Sequence, residues 1–137
     1  MGVYNVHGGH NFIVPGAKGL LDETTEDRKV TARVISALRV AGHTVYDCTD
    51  DSGRTQGQNL ANIVAKCNAH LVDLNISNHL NAGGGTGVEV WCYDERRKTL
   101  LQLFVRMYPQ RLEFQTVASN TLSLCMCSER HLDAQFW

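Results

Sequence analysis

The sequence predicts an α/β domain: a single, mostly parallel twisted sheet flanked by helices. Three observations predict it. Two stretches with helical period alternate with short β-prone runs, giving the order β, α, β, α, β, β. Strands separated by helices join as crossovers, which favours parallel pairing. The 137 residues, 43% hydrophobic and 20% charged, suit one globular domain.

The first strand is read at Val3 to Val6, ending in the loop His7-Gly8-Gly9-His10, which continues through Pro15-Gly16-Ala17 and Gly19. Val30, Val34, Ile35, Leu38 and Ala41 then recur on one helical face. Thr24 and Asp27 precede them at capping-box spacing, and Gly42 closes the helix. Thr44 to Cys48 is β-prone, and Asp50-Asp51-Ser52-Gly53 is a turn cluster. Leu60, Ile63, Val64 and Cys67 share a face of a second helix. Val72, Leu74 and Ile76 alternate with Asp73, Asn75 and Ser77 in a strand that runs into Asn78-His79. After Gly83-Gly84-Gly85, Val88, Val90 and Cys92 alternate again. From Arg96 to Trp137 neither period fits for long.

Thirteen Lys and Arg against 14 Asp and Glu give a net charge of −1, with no basic stripe for nucleic acid and no polybasic face for a membrane. No apolar run approaches the roughly 20 residues that span a bilayer, so no membrane insertion is expected. Met1-Gly2-Val3-Tyr4-Asn5-Val6 lacks the basic and apolar regions of a secretory signal. The five cysteines are widely spaced without a C-x-x-C, and read as small apolar residues of a reduced compartment. Composition leaves the oligomeric state open.

In parallel sheets, sites collect beyond the carboxyl ends of the strands, where both His10 and His79 stand. Glu23 opens the first helix. Two imidazoles and a carboxylate suffice for a catalytic zinc site with an open fourth position. Each histidine taken alone reads more readily as a hydrogen-bonded loop residue, and Glu23 alone as solvated charge at a helix N-terminus.

The local strings add to this. His10-Asn-Phe-Ile-Val-Pro-Gly16-Ala17, Gly19-Leu20-Leu21-Asp22-Glu23, Ala41-Gly42-His43-Thr44-Val45, Asp73-Leu74-Asn75-Ile76-Ser77-Asn78-His79-Leu80-Asn81-Ala82 and Gly87-Val88-Glu89-Val90 occur in that order. Together they resemble the zinc-dependent N-acetylmuramoyl-L-alanine amidases, over about residues 3 to 95. In that family the metal is held by a histidine six residues before a Gly-Ala pair, a glutamate opening the first helix, and the histidine of an I-S-x-H-x-N-A string. The resemblance therefore implies His10, Glu23 and His79 as zinc ligands. His7 does not fit the first role, and Glu23 fits the second better than Glu26. Asn78 stands where the family usually has an apolar residue, without an expected effect on ligation. Asn81 looks like a structural residue of the ligand loop, and His43 and His70 like surface residues.

The implied fold is that of the zinc amidases, phosphorylase/hydrolase-like. The implied activity is hydrolysis of the amide joining the lactyl group of N-acetylmuramic acid to L-alanine in peptidoglycan, which is the implied partner. Location is expected to be cytoplasmic until release to the cell wall, or that of a phage- or prophage-encoded enzyme.

The resemblance also implies a general-base glutamate near the C-terminus, and none is found: Glu113 and Glu129 sit in no family motif. A one-base shift of degenerate codons for Cys125 to His131 permits Tyr-Val-Leu-Arg-Lys-Thr, close to a family strand. The same offset on Phe104 to Ser119 permits a family-like helix and loop. Residues 1–95 are thus read as the amidase-type domain carrying the zinc ligands, and residues 96–137 as an aberrant or divergent tail, out of frame and lacking the catalytic glutamate. The sheet is then expected to be incomplete at its C-terminal side, leaving the His79 strand without neighbours, zinc binding weak or absent and hydrolysis near background.

The alternative from another class is a non-catalytic peptidoglycan-binding or regulatory module on the same fold. A phosphate loop at Gly83-Gly84-Gly85-Thr86-Gly87 is disfavoured, because a strand-like run follows it and no G-K-[ST] does. Trp91-Cys92-Tyr93 reads as core rather than as a stacking platform.

Overall fold

The computed structural model describes residues 1–19, 21–82, 88–92 and 120–127, with side chains through residue 80. In chain order these form β1 (Val3–Gly8), α1 (Glu23–Val40), β2 (Thr44–Asp47), α2 (Gln56–Asn68), β3 (Leu74–Ala82), β4 (Val88–Cys92) and β5 (Asn120–Cys127). The strands make one sheet in the order β2-β1-β3-β5-β4. β1 pairs in parallel with both β2 and β3, as the crossover order predicts. The protein is an α/β fold built on this parallel trio and two helices.

Strand alternation places the helices on opposite faces of the sheet. Val45 packs with Val6, Ile76 and the α1 residue Ile35, whereas its neighbour Tyr46 packs with Cys48 and the α2 residues Ile63 and Cys67. Adjacent strand residues point to opposite faces, so α1 and α2 cover opposite sides. Cys48 and Cys67 are both buried, as expected of small apolar residues. Among the described residues no helix is long and apolar enough to cross a membrane.

Several local expectations are corrected. The N-cap of α1 is Asp22, whose Oδ1 accepts the Thr25 N–H at 2.9 Å, rather than Thr24. Thr24 and Asp27 lie inside the helix and are buried, because their spacing serves the sheet-facing stripe. Ala41 is the exposed C-cap rather than a core residue, with Gly42 following at φ 83°. β1 runs on to Gly8, so His7 is a buried strand residue rather than part of the loop. β3 runs on through His79 to Ala82, four positions beyond its last pair with β1, Gly8↔Asn78.

The expectation that the His79 strand lacks a neighbour is also corrected. β5, drawn from the 96–137 segment, pairs antiparallel with β3 from Asn75↔Cys127 to Ala82↔Asn120. β4 pairs in parallel with β5, Val88↔Leu122 to Cys92↔Met126. Leu122, Leu124 and Met126 alternate with Thr121, Ser123 and Cys125, a strand period carried by an otherwise patternless segment. The Gly83–Gly87 loop, Tyr93, Glu113, Glu129 and the shifted-frame reading of 104–119 lie outside the described residues, as do the side chains of Asn81 and Trp91.

Candidate metal centre

The end of β1, the start of α1 and the extension of β3 meet at one corner of the sheet. Beyond the Gly8↔Asn78 pair, the Gly9 N–H still donates to the Asn78 carbonyl at 2.9 Å, so the chain leaves β1 alongside β3. His10 comes one residue later and His79 one residue past Asn78. Glu23 is the first residue of α1, and its N–H donates to the Ala17 carbonyl at 3.0 Å. The three side chains converge: one ligand atom from each of His10, Glu23 and His79 lies within 4.8 Å of the others.

The Glu23 carboxylate is the centre of the cluster. Its Oε1 lies 3.2 Å from His79 Nδ1 and accepts the Leu80 N–H at 3.1 Å. Its Oε2 lies 3.7 Å from His10 Nε2 and accepts the Ala17 N–H at 2.7 Å. Burial opposes ionisation of Glu23, but the His79 and Ala17 hydrogen bonds and the two imidazoles outweigh it and hold its pKa below the usual value. Burial lowers the pKa of His10 against the pull of Glu23, with His79 and Arg28 adding to the lowering. An ionised carboxylate beside a neutral imidazole is the protonation state metal binding requires. The Glu23 side chain is 5% exposed against 28% and 25% for His10 and His79, so the cluster is closed beneath and open on the histidine side.

Two glycines make room for the cluster. A Cβ on Gly9 would run into the His79 ring, and one on Gly16 would strike the Glu23 carboxylate and His10 Cδ2. The His10 and His79 rings stand edge to face, 5.4 Å apart at 86°.

Residues around the three candidate ligands hold the corner in shape. His10 has a positive φ of 51°, a left-handed backbone that costs a non-glycine residue about 1 kcal/mol. Arg28, one turn into α1, faces that strained segment. Its Nη1 donates to the Gly9 carbonyl at 3.1 Å and to Asp27 Oδ1 at 2.9 Å. Its Nη2 donates to the His10 carbonyl and to Asp51 Oδ1, both at 2.7 Å. Asn11, fully buried, accepts the Ile13 and Val14 N–H groups at 3.0 and 2.7 Å and donates to the Gly53 carbonyl at 2.8 Å. Asn78, also fully buried, donates to Thr31 Oγ1 at 2.9 Å, so it ties the ligand strand to α1. The buried Thr24, Asp27 and Thr31 sit at core spacing ahead of Ile35, a polar stripe at apolar positions that was the available signal.

The other histidines lie elsewhere. His7 is wholly buried in β1, with Nδ1 3.3 Å from the Gly8 carbonyl oxygen, and burial lowers its pKa to about 4. His43 Nδ1 accepts the Gly2 N–H at 2.9 Å, and His70 stacks on Tyr46 at 3.6 Å; both are half-buried rather than fully on the surface.

No family model matches the chain. It is similar to two uncharacterized proteins of Clostridium perfringens. One, from strain 13 / Type A, is 54% identical over 44 residues, which is 32% of this chain and 13% of the relative. The other, an uncharacterized 38.4 kDa protein, is 39% identical over 95 residues, 66% of this chain and 23% of the relative. The chain thus spans less than a quarter of the length of these curated relatives.

Proposed function

We propose that this chain carries the zinc-binding part of an N-acetylmuramoyl-L-alanine amidase, acting on the amide between the lactyl group of N-acetylmuramic acid and L-alanine in peptidoglycan. The observation that carries this reading is the convergence of His10, Glu23 and His79, the three residues that stand at the ligand positions of the amidase motif strings. Two histidines and one carboxylate, open on the histidine side, are a donor set of the kind catalytic zinc uses. Held there, Zn²⁺ would polarise the amide carbonyl and acidify a water molecule.

The chain's own residues supply the rest. Glu23 brings the negative charge, and the N–H groups of Ala17 and Leu80 fix the directions of its two oxygens. Glu23 is the buried member of the cluster, which leaves the more exposed imidazole edges to face substrate. The amidase resemblance requires a further glutamate as base, and Glu113 and Glu129 fit no motif for it. Turnover by this chain is therefore expected near background, while the pairing of β5 along β3 past His79 supports retention of zinc.

Titrating the metal-free chain with Zn²⁺, beside an assay for new alanine N-termini released from purified cell wall, tests the reading. One zinc per chain, lost in His79→Ala, is the expected result; no zinc binding would sink it. A cell-wall pull-down run in parallel separates the hydrolase reading from a binding module on the same fold. Wall capture that survives in His79→Ala, with no Zn²⁺ bound by the parent chain, favours the module.

A further inference from the structure

We infer that Arg28 is a positioning residue for the metal centre: it holds the His10 backbone in its left-handed conformation and so presents the imidazole to Glu23 and His79. The inference rests on the zinc-site reading above and adds a residue to it. Left-handed backbone at a histidine does not persist unless its surroundings impose it. Here the peptide groups on both sides of the strained φ are held by one planar group. Arg28 reaches the Gly9 carbonyl through Nη1 and the His10 carbonyl through Nη2, at 3.1 and 2.7 Å.

The fork is itself fixed from two further directions. Asp27 Oδ1 and Asp51 Oδ1 accept from the same two nitrogens at 2.9 and 2.7 Å, so the guanidinium is anchored to α1 and to the turn after β2. The Arg28 side chain is 17% exposed. A lysine has the charge but not the planar fork, and cannot hold two backbone carbonyls and the Oδ1 atoms of Asp27 and Asp51 in fixed directions at once. The guanidinium also lies 5.9 Å from the centre of the Phe12 ring, beyond the ligand. Asn11 locks the next turn through Ile13 and Val14, so the chain is held on both sides of His10 and only the imidazole is left to meet the cluster.

The experiment compares the full chain with Arg28→Lys, Arg28→Gln and Arg33→Gln. The last makes the same charge change at an exposed position of α1. Two quantities are read: Zn²⁺ affinity by competition with a chromophoric chelator, and amide hydrogen exchange of residues 9–14 in the metal-free protein. Arg28→Gln should lose about ten- to a hundredfold in affinity, the range for residues that orient metal ligands, and Arg28→Lys at least several-fold. Both should speed exchange in residues 9–14 and leave β1 and β3 protected, while Arg33→Gln changes neither. Wild-type affinity in Arg28→Lys, with its circular dichroism unchanged, overturns the inference; this arm decides the matter if Arg28→Gln does not fold. If the parent chain binds no Zn²⁺, the zinc reading fails, and the exchange data alone decide whether Arg28 holds the loop: unchanged exchange in residues 9–14 overturns that as well.

Discussion

The carboxylate of Glu23 lies 3.2 Å from Nδ1 of His79, a contact between residues 56 positions apart in the chain. It joins the first residue of α1 to the stretch of β3 that outruns β1, and His10 approaches the other carboxylate oxygen. Glu23→Gln keeps the shape and removes the charge. Zn²⁺ affinity should fall by roughly a hundredfold or more, about 3 kcal/mol, measured by chelator competition. An affinity within threefold of wild type would remove Glu23 from the ligand set.

Zinc should stabilise the fold by binding the native state alone. At a free concentration a hundred times its dissociation constant, the gain is about 2.7 kcal/mol, visible as a higher Tm that EDTA reverses. His79→Ala should melt at the same temperature with and without zinc. A zinc-dependent rise that persists in that variant would place the metal elsewhere.

Glycine substitutions should sort by what their Cβ would meet. Gly9→Ala and Gly16→Ala push into the His79 ring and the Glu23 carboxylate, and should cost about 1–3 kcal/mol together with most of the zinc affinity. Gly57 in α2 has nothing within 4 Å, so Gly57→Ala should stabilise by roughly 0.5–1 kcal/mol. Urea denaturation measures all three, and equal effects at Gly9 and Gly57 would contradict the described packing.

The pH dependence of the metal-free protein has two opposing parts. Burial lowers the pKa of His7 from 6.5 to about 4, so the folded state prefers its neutral form. Its contribution is full above pH 6.5 and is lost as pH falls toward 4. Burial raises the pKa of Asp27 to about 8, against the pull of Arg28 and with Glu23 adding to the rise. The folded state therefore holds a proton that the unfolded chain releases near pH 4, and stability falls as pH rises from 4 to 8. Between pH 6.5 and 8 only the Asp27 effect remains of these two. Stability should drop by about 1–2 kcal/mol across that interval in urea titrations, and the drop should vanish in Asp27→Asn.

The origin of residues 96–137 is open to a direct test on the coding DNA. Through codons 94–137, the neighbouring frame should read as continuous amidase-like sequence. An uninterrupted frame to Trp137 with no such sequence beside it would make the segment a natural C-terminal variant.

The sequence by itself determined the element order as far as β4, the parallel pairing of the helix-linked strands and the identity of the three candidate ligands, but not β5, which lies where neither period holds for long. Periodicity is local, and the motif strings lie within short stretches of chain, so both are visible without contacts. Tertiary structure decided what those stretches do to one another. Thr24 and Asp27 satisfy a capping pattern, yet burial against the sheet claims them for the core and leaves the cap to Asp22. His7 and His10 stand beside glycines alike, but β1 runs through the first and ends before the second, so only His10 reaches Glu23. Arg28 reads as one more charge on a helix until the chain after β1 folds back beneath it. Its role depends on two backbone carbonyls 19 and 18 residues away, and a carbonyl carries no signature in the amino-acid sequence.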